Sequence, residues 1–380
     1  MDSAPSASRM GSVDFLKGLI IIAIIGAHII LSSTGDAGAR EMPLVLQIIY
    51  LGLMAFFIIS GYFYRPNKGF VYNMKKRLMQ LVVALVICSV VLPIILFIWL
   101  TIVGQMPDPY DIWYGFLKGM CLTDLFSEPA GATYYATCSA AVGYYYLWAM
   151  VWGFLIFYAL ADYIMTDVRK IIATIVILIA VNIVYIEFCC ITLPFHMHMG
   201  PIAALFMFLG AFMAKYDLLG KIEHFEWKNM KYWLAIIACL AFGIAMCYVF
   251  HPGTKFDWLI FGDYGGWSVI TYFLEAGSMF VVFVFICKLF SMIPVFSKIF
   301  EIAGQHTLGT LLLHGTIATM VIAPFYTITH TSWFPTEMTT VERCIVFVVT
   351  LVACILICRY GPQIVKSIKV KIKGSGSETA

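Results

Sequence analysis

Polar and apolar residues in this chain fall into long blocks instead of alternating. Ten apolar runs are separated by polar stretches. They start near Phe15, Pro43, Leu78, Val142, Ile171, Met197, Trp233, Ser268, Gln305 and Glu342. They end near Leu31, Tyr64, Val103, Ala161, Glu187, Ala214, Phe250, Cys287, Tyr326 and Cys358. Each is about 18 to 25 residues long, the length an α-helix needs to cross the hydrocarbon core of a bilayer. The short alternating strands of a transmembrane barrel are a different pattern. The expected fold is therefore all-α, a polytopic membrane protein with about ten transmembrane helices. Residues 1–360 are expected to form one transmembrane domain, and residues 361–380 a basic cytoplasmic tail.

Composition sharpens this reading. The chain is 62% hydrophobic and 12% charged, against roughly 25% charged in soluble domains. Lipid must solvate most of the surface, and backbone groups in lipid need partners within the same segment. The first run follows a polar leader but has no small-residue cleavage pattern after it, so it reads as a retained helix.

The net charge of +3 says little by itself, but its distribution is one-sided. With ten spans, 20 of the 24 Lys and Arg fall on one side. Only Arg40, Lys118, Lys255 and Arg343 fall on the other. Positive residues stay in the cytoplasm, so both termini are expected there. The longest outer loop, Gly104 to Ala141, carries Asp108, Asp111, Asp124 and Glu128 among many aromatics. It reads either as a sugar-holding surface or as an ordinary interfacial belt. Cys121 and Cys138 lie in it and would pair in an oxidising compartment.

Several residues stand out because a membrane interior is a costly place for them. In the first span Asp14, Lys17 and His28 precede or interrupt an apolar run. On an ideal helix, Lys17 and His28 share a face within about 20° and lie about 16 Å apart along the axis. A histidine at that depth faces either a polar cavity or a neighbouring helix's hydroxyl, and histidine is also the usual general base. His314, in the ninth span, is a second intramembrane histidine, and Glu275 is the deepest carboxylate. Ser60-Gly61 in the second span allows close approach of either a helix or a ligand. Arg65, Lys68, Lys75, Lys76 and Arg77 follow in the next cytoplasmic segment. They read either as a phosphate-binding cluster or as ordinary positive-inside charge. His196 and His198 form a lone His-x-His pair, which is a weak metal signal. No metal site is expected.

At these residues the chain resembles the acyltransferase-3 family, in particular its fucose 4-O-acetylase-like and polysaccharide O-acetyltransferase branch. The match runs through Asp14, Lys17, Gly18 and His28, then Phe56, Phe57, Ser60, Gly61 and Tyr62. It continues through Lys75, Lys76 and Arg77, Phe208 to Gly210 and Lys215, and Gly304, Thr307, Leu308, Leu312 and His314. Lys17 stands where many members carry Arg, and Met74 breaks an Arg-x-x-Arg pattern.

The resemblance implies an enzyme of the bacterial inner or plasma membrane that moves an acetyl group from acetyl-CoA to a carbohydrate hydroxyl. The carbohydrate is a surface polysaccharide or a lipid-linked glycan. Acetyl-CoA acts as cosubstrate, with no permanently bound cofactor and no nucleic-acid partner. It implies donor contacts at Lys17, Asp14, Arg65, Lys75, Lys76 and Arg77. It makes His28 the base or the nucleophile, His314 and Glu275 proton relays, and Ser60 an oxyanion donor. The rival readings are a secondary transporter or exporter of glycans and a non-catalytic membrane scaffold. The two halves show no internal repeat of the kind many transporters carry.

Overall fold

The computed structural model describes residues 11–26, 28–29, 44–105, 109, 112–113, 116, 144–189, 193–226, 228–250, 268–326 and 338–375. The acidic part of the long outer loop, Cys121, Cys138, Arg40, Lys118 and Lys255 lie outside the described residues.

Among the described residues every regular element is helical. In chain order the α-helices are α1 (Gly11–Gly26), α2 (Leu44–Tyr62), α3 (Gly69–Ile102), α4 (Tyr144–Ile164), α5 (Val168–Val184) and α6 (Gly200–Lys215). They continue as α7 (Leu218–Glu223), α8 (Met230–Phe250), α9 (Ser268–Ser291), α10 (Pro294–Gln305), α11 (Thr307–Ile322) and α12 (Thr340–Ser375). Each of the ten apolar segments overlaps one of these helices. Six described helical segments are long and apolar enough to cross a membrane: Gly69–Ile102, Tyr144–Ile164, Val168–Cys189, Pro194–Lys215, Val269–Ser291 and Thr340–Gln363. Leu53–Tyr62, Met230–Met246 and Thr307–Ile322 are shorter apolar helices. The protein is an all-α polytopic membrane protein.

Helix α6 is the hub. It packs on α2, α4 and α5, and nearly all of its side chains are buried. By contrast α3, α5 and α12 turn Val86, Ile87, Ile177 and Val348 outward, as helices in contact with lipid do.

Two crossings are so close that only glycine fits. At the α2–α6 crossing, a methyl group on Gly61 would overlap the Met207 carbonyl, and one on Gly210 would overlap that of Ile58. At the α1–α10 crossing, Gly18 meets the Phe300 carbonyl and Gly304 meets that of Asp14. Without lipid-expelling hydrophobicity between helices, backbone-on-backbone packing of this kind supplies much of the association. The Ser60-Gly61 pair is thereby resolved in part, since the glycine serves helix approach.

The structure corrects the ideal-helix picture at four places. Residues 28–29 sit in a π-type turn beyond Gly26, so the 20° angle derived for an unbroken helix does not extend to His28. The segment expected to be a loop before the third span is helical from Gly69, nine residues ahead of the apolar run. Gly69 makes the turn at φ 66°, a region glycine enters without strain. The polar residues that follow, Asn73, Lys75, Lys76 and Arg77, contain no helix breaker. The stretch expected to be a loop before the ninth span holds α10. Its apolar positions, Val295, Ile299, Phe300 and Ile302, recur at helical spacing between Lys298 and Glu301, too sparsely to register as a span. Helix α12 continues through Pro362 to Ser375, beyond the end of its apolar run.

At one end of the bundle the start of α1 is clamped. Ser12 donates to Glu223 Oε2 at 2.6 Å, and Lys288 Nζ donates to Glu223 Oε1 at 2.9 Å. Burial opposes ionisation of Glu223, but these two hydrogen bonds and the Lys288 charge outweigh it and hold the carboxyl below its ordinary range. At the opposite end, Trp99 Nε1 donates to the Met320 carbonyl at 2.8 Å, and Gln105 Nε2 to that of Ala323 at 2.9 Å. These bonds tie α3 to the far end of α11.

Candidate active site

A cavity of about 790 Å³ opens between α1, α2, α3, α4, α11 and α12. This is within the range of small-molecule sites, roughly 300–1,000 Å³. Its mouth is polar, lined by Asp14, Lys17, Arg77, Gln80, Gln305 and His306. Its wall is apolar, with Ile21, Phe56, Ile59, Met150 and Leu308. Its far end reaches Ile24, Leu53, Tyr146 and Leu311.

At the mouth Lys17 Nζ lies 3.5 Å from Asp14 Oδ1, an ion pair one turn long on α1. Arg77 is held more firmly. Its Nε donates to the Tyr158 hydroxyl at 3.2 Å and its Nη1 to Gln80 Oε1 at 3.0 Å, while its guanidinium lies 4.8 Å over the Phe154 ring. Tyr158 is itself backed by Tyr64, whose ring stacks on it and whose hydroxyl donates to Asp162 Oδ1 at 2.7 Å. A planar cation fixed on an aromatic face is well suited to binding an anion at the cavity edge.

Lys75 and Lys76 are exposed on the same helix and do not line the cavity, nor does Arg65 beside the short 3₁₀ turn Pro66–Lys68. The helix explains the split. Successive residues point about 100° apart, so three adjacent cations on α3 cannot share one face. Ser60 does line the cavity, and its hydroxyl donates to the Phe56 carbonyl of its own helix at 2.7 Å.

His28 and His314 come together beyond the far end. They lie one turn past Ile24 and Leu311, respectively, and their rings stack with centroids 5.7 Å apart and planes 30° from parallel. His28 is half-buried, while His314 is 1% exposed. His314 Nδ1 sits 2.8 Å from the Leu311 carbonyl and 3.3 Å from that of Thr310. His314 Nε2 is buried and has no hydrogen-bond partner among the described residues. Glu275 is 1% exposed on α9, one turn from buried Tyr272. The His196–His198 pair lies in the Pro194–Met199 turn near Tyr145, with its two rings 5.9 Å apart. Phe195 and His196 there adopt left-handed φ of 53°. Among the described residues no group of three or more ligating side chains is placed to hold a metal.

Reading by sequence alone did not find Tyr146, Tyr158, Gln80 or His306. The Tyr158 signal existed only as one aromatic among many on α4. Gln305 and His306 lie between the matched Gly304 and Thr307, with nothing in the sequence to single them out.

The fold and the cavity together define a class first: a polytopic helical membrane protein with an intramembrane cavity that runs from a cationic mouth toward two stacked histidines. The particular family follows from sequence. Residues 10–359 match the family model described as an acyltransferase domain, that of acyltransferase family 3. The chain therefore belongs to the acyltransferase-3 family and is a membrane acyltransferase. No curated protein and no solved structure matches it.

Proposed function

We propose that this acyltransferase moves an acetyl group from cytoplasmic acetyl-CoA to a hydroxyl of a cell-surface carbohydrate or its lipid-linked precursor. The observation that carries the reading is the cavity itself, polar at the Lys17–Arg77 end, apolar along its length, and leading to the His28–His314 pair. Such a gradient suits a donor with a phosphorylated head, a long thin arm and a reactive thioester at the tip.

In this reading the donor's phosphates meet Arg77 and Lys17, with Asp14 orienting the lysine. The arm lies along Ile21, Phe56 and Leu308. The thioester stops beside His28, which acts as base toward the acceptor hydroxyl or as the nucleophile that first takes the acetyl group. The acceptor enters from the side opposite the basic mouth, and the membrane is the bacterial plasma membrane.

Two measurements test this. Acetyl-CoA should raise the melting temperature of the detergent-purified protein, because a ligand specific to the folded state stabilises it. Mass spectrometry of surface glycan should show acetyl groups in cells with the gene and none in cells lacking it. Absence of both effects overturns the reading.

A further inference from the structure

Beyond the cavity's deep end, the surroundings of His314 dictate where its ring hydrogen sits. Its Nδ1 faces two backbone carbonyls, those of Leu311 at 2.8 Å and Thr310 at 3.3 Å. A carbonyl oxygen only accepts, so Nδ1 must carry the hydrogen. In a neutral imidazole the other nitrogen then holds the lone pair. That nitrogen, Nε2, is buried and has no hydrogen-bond partner among the described residues.

The alternative is a second hydrogen on Nε2. It would place a full charge, with no acceptor for its N–H among the described residues, where only 1% of the residue is exposed, a state that burial strongly disfavours. The resting side chain is thus a neutral imidazole with its basic nitrogen presented and unoccupied. The ring stacks on His28, one helical turn beyond cavity-lining Leu311.

The geometry points to His314 Nε2, instead of His28, as the base that takes the proton from the acceptor hydroxyl. This inference rests on the acetyl-transfer reading and deepens it. The acceptor oxygen forms the new C–O bond to the thioester carbon as its proton passes to His314 Nε2. The C–S bond then breaks, with its electron pair going to sulfur. The imidazolium returns the proton to the departing thiolate, which leaves as the free thiol of coenzyme A. The Leu311 carbonyl, still accepting from Nδ1–H, steadies the imidazolium while it exists. If His28 first takes the acetyl group, C–S breaks at that stage and the thiol leaves with the proton from the His28 ring. The acceptor then attacks acetyl-His28 with its proton passing to His314 Nε2, and C–N breaks with its electron pair returning to His28. Only proton removal by His28 is therefore excluded.

The test uses full-length protein in membranes from its native host, deleted for the chromosomal copy, with radiolabelled acetyl-CoA. Label in the surface carbohydrate is the readout. His314→Asn keeps an N–H that can reach the Leu311 carbonyl and removes the Nε2 lone pair. It should lower transfer by about 10²–10⁴-fold, the usual worth of a general base. The rise in melting temperature caused by acetyl-CoA should stay at its wild-type size. His314→Ala should be inactive too and should regain transfer on addition of free imidazole. Retention by His314→Asn of more than about a tenth of wild-type transfer, far above that general-base range, overturns the assignment. So does a His314→Ala protein that folds, binds donor and is not rescued by imidazole. If His314→Asn loses the acetyl-CoA response, the imidazole result alone decides. The wild-type membranes judge the acetyl-transfer reading separately, because without label there that reading fails whatever the variants do.

Discussion

The two ends of the cavity are built on different principles. At the mouth, charge is carried by partly exposed Lys17, paired at 3.5 Å with largely buried Asp14. Such pairs are worth little and exchange partners readily. At the far end, His314 is buried and tied to its own helix by a 2.8 Å contact, against a second histidine ring. Here one hydrogen position is fixed before any substrate arrives. A mouth of the first kind gathers an anionic molecule without demanding one geometry, and an end of the second kind demands one. Changes at the mouth should therefore alter how much donor is needed, and changes at the far end how fast the reaction runs.

The strongest way to break this contrast is to remove the frame that keeps the ends apart. Gly304 lies against the Asp14 carbonyl with no room for a Cβ. Gly304→Val should force α1 and α10 apart, carrying Asp14 and Lys17 out of the mouth. Destabilisation of about 4 kcal/mol or more is expected, in the range of severe packing lesions. The checks are protein yield and melting temperature in detergent. A Gly304→Val protein that accumulates and melts like wild type would show that the crossing is not as tight as drawn.

Next in size is the far end itself. His28→Ala should reduce acetyl transfer by about 10²-fold or more, the effect of losing a nucleophile that takes the acetyl group. The Michaelis constant for acetyl-CoA should stay within about twofold, because His28 lies one turn past the cavity lining and binds none of the donor's charge. A variant that instead loses donor affinity at constant rate would erase the difference between the two ends.

The contrast also separates what the sequence could carry from what it could not. The helices were legible because the solvent is lipid, and a span of Ile, Leu, Val and Phe has few other readings. The Asp14–Lys17 pair was legible too, since three residues on one helix fix the distance. The meeting of His28 with His314 was not, because they lie on helices far apart in the chain and the first sits in a π-type turn. Helix α10 was hidden because an amphipathic rim helix has no long apolar run. The glycines Gly18, Gly61, Gly210 and Gly304 were visible as motif positions, but their pairing needed the packing. Among the three adjacent cations, nothing in the order Lys75-Lys76-Arg77 shows which faces inward. Phe154 and Tyr158, on another helix, decide that.

That last point makes the mouth testable on one helix turn. Arg77→Gln removes the guanidinium from Phe154 and Tyr158 and should raise the Michaelis constant for acetyl-CoA about tenfold, equivalent to about 1.4 kcal/mol. The maximal rate should change far less. If rate falls and the constant does not, Arg77 acts on the chemistry and the mouth is more than a collecting surface.

The smallest expected effect is the most exacting check. Lys75 and Lys76 carry the same charge as Arg77 and sit beside it in sequence, but both are exposed and away from the cavity lining. If simple positive charge at this rim gathers the donor, Lys75→Gln with Lys76→Gln should weaken binding as much as Arg77→Gln does. If the fixed guanidinium is what matters, the double variant should shift the Michaelis constant by less than about twofold, because exposed charges a Debye length or so from their target are largely screened. Repeating both measurements at raised ionic strength separates the cases further. The small effect of the lysines should vanish with salt, while the Arg77 effect, made at close range on an aromatic face, should persist.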